Sequence, residues 1–207
     1  MSKKIIIIAL VAIVAIVGFL EFKSLRDDET EVDMEREDVR ETPVYETYSD
    51  PSLGFSFRYP SGPQGYVLEK SAVVDEATTI EETLLLVHKD DVPAFQNPPV
   101  GGEGPAVISI LVFPNTQNQR PEAWAREHNA YSNINVALSD IEEAVIGGAL
   151  AIRYRADGLY ASEMSVITHG SHVYVFSGAF VDGDSPTLRD FGPLLDSVTF
   201  IPELGQE

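Results

Sequence analysis

Asp50-Pro51-Ser52-Leu53-Gly54-Phe55-Ser56-Phe57-Arg58-Tyr59-Pro60 is the stretch whose reading decides the fold. Pro51 pre-sets its own φ and Gly54 is free to take positive φ, so residues 50–54 carry turn chemistry. From Phe55 to Tyr59 aromatic and polar residues alternate. That puts Phe55, Phe57 and Tyr59 on one face of a strand. Pro60 and Gly62-Pro63 end it.

Outward from this strand, the pattern predicts more strands than helices. Val44–Ser49 reads as a short strand before the turn, with Tyr66–Ala72 and Thr83–Lys89 as strands after it. Asn97–Pro105 holds three prolines and three glycines, and reads as a loop. Ala106–Phe113 is a nearly continuous apolar run of strand length, expected at the centre of a sheet covered on both faces. Pro121–Tyr131 reads as a helix opened by Pro121, with Trp124, His128 and Tyr131 on one stripe.

Two hairpins follow. The first joins Glu142–Ile146 to Ala149–Tyr154 through Gly147-Gly148. The second joins Leu159–Thr168 to His172–Phe180 through His169-Gly170-Ser171. A helical segment starts near Ser185, with an apolar stripe of Leu188, Phe191, Leu194, Leu195 and Val198. Pro193 should interrupt it and leave two short helical pieces. Ser197–Ile201 reads as a closing strand. Strands joined by hairpins, with helices between strand groups, describe an α+β domain: an antiparallel sheet flanked by helices.

The order of these elements resembles PsbP-like domains. Gly54-Phe55-Ser56-Phe57-Arg58-Tyr59-Pro60 is similar to their opening G-F-S-F-x-Y-P. Gly147–Tyr154 is similar to their middle glycine-then-strand segment. Phe191-x-x-Leu194-Leu195-x-Ser197-Val198-Thr199-Phe200 resembles their closing helix and strand. The resemblance covers most of residues 44–201 and implies a central antiparallel sheet between helices. Family members in photosynthetic organisms assist photosystem II on the lumenal side and are not enzymes. Similar domains also occur on bacterial membrane-anchored proteins without assigned function. No metal-binding residue of the family and no photosystem-docking segment can be matched here, so that role is not carried over.

Upstream of the domain, Ile5–Leu20 has no charge, amide or hydroxyl, and Lys3 and Lys4 precede it. As a helix it would span roughly 24 Å, against a hydrocarbon core of about 30 Å. Phe22 lengthens it, and Lys3, Lys4 and Lys23 can reach the headgroups with their stems in lipid. The alternative is a cleaved signal peptide. Ile16-Val17-Gly18 and Phe22-Lys23-Ser24 fit a cleavage site poorly, so an uncleaved anchor is the reading. Lys3 and Lys4 favour a cytoplasmic N-terminus and an extracytoplasmic domain. The chain is thus read as a transmembrane signal anchor (1–22), an acidic juxtamembrane linker (23–43) and one PsbP-like α+β domain (44–204).

The net charge of −19 is not confined to the tether: residues 21–42 carry −6 and residues 43–207 carry −15. Such a surface disfavours nucleic acid, which needs clustered Lys or Arg, and permits basic partners. The absence of cysteine excludes disulfides, thiolate nucleophiles and a lipid-modified cysteine anchor.

No catalytic, cofactor or metal residue is assigned from the sequence. His169 and His172 flank a predicted turn without a third ligand, and read as solvent-exposed turn residues. His128 reads as a packing residue, and His88 ends a strand with no evident partner. Asp27-Asp28, Glu81-Glu82, Asp90-Asp91 and Glu142-Glu143 are adjacent acids, which a strand would point to opposite faces. Asp182-Gly183-Asp184-Ser185 lacks the rest of a calcium loop, so Asp184 or Ser185 reads as a helix N-cap.

The function expected is that of a membrane-anchored, extracytoplasmic, non-catalytic binding or accessory module, monomeric as a domain. Its partner would be a basic or envelope protein. The alternative is a cell-envelope hydrolase using carboxylate or His chemistry. The long Asp90–Pro105 loop is the expected binding element, because it offers Val92, Phe95 and Val100 among prolines.

Overall fold

The computed structural model of the chain describes residues 44–71, 80–98, 100 and 103–201. The expected anchor and linker, 1–43, lie outside the described residues. Among the described residues no helix is long and apolar enough to cross a membrane.

The aromatic strand is β2 (Phe55–Pro60), and Phe55, Phe57 and Tyr59 are buried on one face as the alternation requires. It pairs antiparallel with β1 (Tyr45–Asp50) and with the last strand, β10 (Thr199–Phe200). The turn before it is held by Asp50. Its Oδ1 accepts from the Ser52 hydroxyl (2.6 Å), the Ser52 N–H (3.0 Å) and the Leu53 N–H (3.3 Å). Gly54 completes the turn at φ +69°.

The other strands build a second, larger sheet: β3 (Tyr66–Ser71), β4 (Glu82–His88), β5 (Ile108–Pro114), β6 (Glu142–Ile146), β7 (Ala149–Ala156), β8 (Ala161–His169) and β9 (His172–Phe180). Its order is β3-β4-β5-β9-β8-β7-β6, and every pairing is antiparallel. The first hairpin turns at Gly147-Gly148 as expected, whereas the second turns through Gly170-Ser171 alone, because His169 belongs to β8 and pairs with His172.

The helices are α1 (Val92–Gln96), α2 (Pro121–Glu127), α3 (Asn129–Ser132) and α4 (Pro186–Asp196). Two cores separate on the two faces of the large sheet. On one face the small sheet and α4 bury Phe55, Phe57, Phe191 and Leu195 against Ile108, Ile110, Tyr174 and Phe176. On the other face Trp124 and Ala125 of α2 pack with Phe113, Met164, Val166, Val173 and Val175.

Several expectations are corrected. The expected single sheet flanked by helices is two sheets, because β1 and β10 both pair with β2 and the three strands form one of the covering layers. The central strand is β9, not the Ala106–Phe113 run. Val173 to Phe176 alternate between the two cores. Ile110 to Phe113 of β5 do the same, so that run is covered on both faces as expected, but it lies one place nearer the edge. The expected helix 121–131 breaks at His128 (φ −109°, ψ 46°), and Asn133 at φ +53° ends the second piece.

The C-terminal helix, in contrast, runs unbroken through Pro193. Pro193 is exposed, so the Arg189 carbonyl it leaves without a partner can face water. Burial of Phe191, Leu194 and Leu195 outweighs a local cost of about 3 kcal/mol. The closing strand is only Thr199–Phe200. Ser197 is spent on capping α4, where its hydroxyl donates to the Leu194 carbonyl at 2.7 Å.

Candidate functional site

An open concavity lies where α2 leaves the end of the large sheet uncovered. α2 starts at Pro121, after Arg120 in extended conformation. Trp124 and Ala125 anchor it over β7 and β8. On its outer side Arg126 Nη2 and Glu122 Oε1 form an i,i+4 ion pair at 2.6 Å. Beyond it the β6–β7 hairpin continues uncovered.

That hairpin turns through Gly147 (φ +59°) and Gly148 (φ +85°), a two-residue turn with both positions left-handed. Such a turn makes Ile146 and Ala149 a hydrogen-bonded pair, and the alternation makes Val145 and Leu150 a non-hydrogen-bonded one. Ile146 and Ala149 face the first core. Val145 and Leu150 therefore share the opposite face, beside α2, and remain 69% and 51% exposed. With Arg120, Glu122, Arg126 and Glu143 on the rims they line an open cleft of about 570 Å³. Arg126 is held by Glu122, whereas Arg120 has no ion pair among the described residues.

The expected binding loop is built differently from its sequence reading. Its first seven residues run through the end of a 3₁₀ turn (Lys89–Asp91) and then α1, with Val92 and Phe95 half-buried. Val100 is fully exposed. The loop's return is tied down by the Tyr160 hydroxyl, which donates to the Gly104 carbonyl at 2.6 Å. Val92 and Phe95 stand three residues apart on α1, and Val100 lies beyond its end. A crevice of about 180 Å³ between His88, Asp91, Tyr160 and Thr187 lies beside the loop's two ends.

The histidines divide by packing. His128 stacks flat on Trp124, ring centroids 4.3 Å apart, as a packing residue should. His88 does have partners, against the expectation. It is 7% exposed, its Nε2 meets the Gln64 carbonyl at 3.2 Å, and its ring stands edge-on to Tyr66. His169 and His172 are half-buried rather than solvent-exposed. His169 stacks on Phe200 at 4.3 Å, which β10 brings over the turn, and His172 Nε2 lies 3.1 Å from Glu81 Oε2. Ser171 Oγ is 3.4 Å from His172 Nδ1. Among the described residues no group of three or more His or acidic side chains could hold a metal ion.

Ser185 is the N-cap residue of α4, but its hydroxyl works backward. It accepts from the N–H groups of Val181 and Asp182 (both 3.1 Å) and not from the helix. Tyr66 donates to Asp190 Oδ2 at 3.1 Å, and Arg189 clasps that carboxylate through Nε and Nη2, each at 2.8 Å. Burial, then the Asp190 charge, pushes the Tyr66 phenol far up. This network ties α4 to β3.

Sequence reading missed the cleft. The signal for it was present: around a two-residue turn, Val145 and Leu150 must share the face opposite Ile146 and Ala149. Both positions are apolar, although only one face of a hairpin at the end of a sheet needs to be.

The arrangement defines a class: an antiparallel two-sheet α+β domain whose large sheet carries a helix on each face. No protein-family model matches the chain, and no curated protein sequence matches it. Among solved structures it is similar to the solution structure of cyanobacterial PsbP (CyanoP) from Synechocystis sp. PCC 6803. The TM-score is 0.51 at 13% identity, over 77% of this chain and 94% of that one. The chain carries a PsbP-like domain, in fold.

Proposed function

We propose that the chain is a membrane-anchored protein whose extracytoplasmic PsbP-like domain works without catalysis, as a binding or accessory module. The observation that carries this is the paired exposure of Val145 and Leu150 on the floor of an open cleft. Contiguous apolar surface rimmed by polar groups marks interaction sites. The apolar run Ile5–Leu20 behind Lys3 and Lys4 supports the anchor and its orientation. A photo-crosslinking residue at position 150 of the full chain, activated in cells, should give a discrete protein adduct that Val145→Arg abolishes. No adduct, or one indifferent to Val145→Arg, would overturn the reading. A reporter active only outside the cytoplasm, fused after Glu207, should give signal, and a cytoplasmic reporter should not.

One observation favours a second reading, hydrolysis. His172 stands between the Ser171 hydroxyl and the Glu81 carboxylate, and Ser171 and His172 line a crevice of about 180 Å³. The Ser–His separation of 3.4 Å is longer than a working hydroxyl hydrogen bond, although such contacts can tighten with substrate. The full chain tested against activated esters decides between the two. Turnover abolished by Ser171→Ala would establish an enzyme and remove the non-catalytic reading.

A further inference from the structure

We infer that the outer edge of β6 is a docking strand for an extended, basic polypeptide segment, whose apolar side chain enters the neighbouring cleft. The inference rests on the cleft being a binding surface and specifies how, and by what chemistry, it is occupied.

The backbone comes first. β6 is the last strand of the seven-stranded sheet, and no described strand pairs with its outer side. The two-residue turn fixes which groups face β7. Ile146, Ala144 and Glu142 exchange hydrogen bonds with Ala149, Ala151 and Arg153, so the N–H and C=O groups of Glu143 and Val145 point away from the sheet. Two consecutive outward pairs are what strand addition uses.

Side chains then set the occupant. On the cleft face the edge presents Glu143 and, two residues on, exposed Val145 backed by Leu150. On the other face it presents Glu142. Arg153 stands across from Glu142 in register, but no ion pair joins them, and Ile152 stands across from Glu143. An added strand therefore meets an acid at two successive positions and an apolar site two residues after the second. Opposite charges across a strand pair stabilise it, and like charges oppose it. The complementary segment carries basic residues opposite Glu142 and Glu143 and an apolar residue opposite Val145. A second copy of this chain is disfavoured as occupant, since antiparallel β6–β6 pairing would bring acidic edges together in a protein of net charge −19. The same acids would guard the edge against indiscriminate pairing.

The test uses the full chain in non-ionic detergent and a capped peptide, Thr-Val-Thr-Val-Thr-Lys-Lys, together with its reversed sequence. The control replaces both lysines by glutamates. Expected is saturable binding of at least one lysine peptide, with slowed amide hydrogen exchange at Glu143 and Val145. The glutamate control should bind about tenfold more weakly. The double variant Glu142→Lys/Glu143→Lys, which changes only exposed side chains, should reverse that preference. Val145→Pro removes an outward N–H that the β6–β7 ladder does not use, and should abolish binding. Absence of binding by either lysine peptide would overturn the inference. So would an unchanged preference in the charge-reversed variant, or amides of Glu143 and Val145 already protected in the peptide-free chain. A position-150 adduct in cells without this peptide-dependent protection would overturn strand addition and leave the binding module standing. Loss of both would remove both.

Discussion

The ring of Phe191 on α4 lies against the backbone of Gly178 on β9, so closely that a Cβ at Gly178 would meet Phe191 Cδ2 at 2.7 Å and Cγ at 2.8 Å. Phe191 is fully buried and its own Cβ is within 3.1 Å of that point, so the ring cannot swing clear. Gly178→Ala is expected to lower stability by about 1–3 kcal/mol through overpacking. Chemical denaturation should show a lower midpoint with an unchanged slope. A midpoint equal to wild type would mean that α4 is free to slide on the sheet.

The two turn glycines of the β6–β7 hairpin should differ in cost. Both have positive φ, so alanine at either carries a backbone penalty of about 1–2 kcal/mol. At Gly147 the new Cβ would also meet the Val198 carbonyl at 2.8 Å and the Phe200 ring at 3.0 Å, while at Gly148 it meets open space. Thermal melts should place Gly147→Ala clearly below Gly148→Ala. The reverse order would show that the C-terminal segment does not pack on this turn.

Pro193→Ala should stabilise the domain. It restores a helix hydrogen bond to the Arg189 carbonyl and removes a ring from the middle of α4, at an exposed position where no packing is lost. The gain expected is about 1–3 kcal/mol. A lower melting temperature would indicate that the proline sets a bend the core requires.

Stability should fall at high pH through buried tyrosines. Burial raises the phenols of Tyr59, with the Glu46 carboxylate beside it, and of Tyr154, each to about 12. Burial and Asp190 raise Tyr66 further. A raised folded-state pKa gives stability that is complete below the unfolded value of 10.0 and lost as pH climbs through the folded one. Unfolding free energy should therefore decline from about pH 10 upward. Tyr66→Phe should flatten that decline. Equal slopes for wild type and Tyr66→Phe would exclude Tyr66 from the transition.

Asp50 should act at the acid end. The Ser52 hydroxyl and the Ser52 and Leu53 amides hold its carboxyl below the ordinary 3.8, against a smaller opposing effect of burial. A lowered folded pKa gives stability that is present above the unfolded value and lost as pH falls through the folded one. Asp50→Ala should cost about 1 kcal/mol at neutral pH, and the cost should shrink as pH falls below the ordinary carboxylate range. A pH-independent cost would show that the turn owes nothing to the charge.

Local chemistry made much of this protein legible from its residues alone. The turn at Asp50–Gly54, the aromatic face of β2 and the two-residue turn at Gly147-Gly148 depend on neighbours a few positions away, and alternation and positive φ are written in residue type. The acidic surface and the apolar run Ile5–Leu20 are compositional. Tertiary structure decided which strands pair. That β10 joins β2 across some 140 residues, as in the Ser56–Thr199 hydroxyl contact at 2.7 Å, is a matter of long-range packing that no window of sequence carries. The same holds for His88 and His169, whose partners arrive from elsewhere in the chain: Gln64 from the turn before β3 and Phe200 from β10. It holds for Pro193 too, where buried neighbours overrode a local helix breaker. The cleft itself exists because α2 lies beside Val145 and Leu150 without covering them, a relation between two elements that only their packing on a common sheet can set.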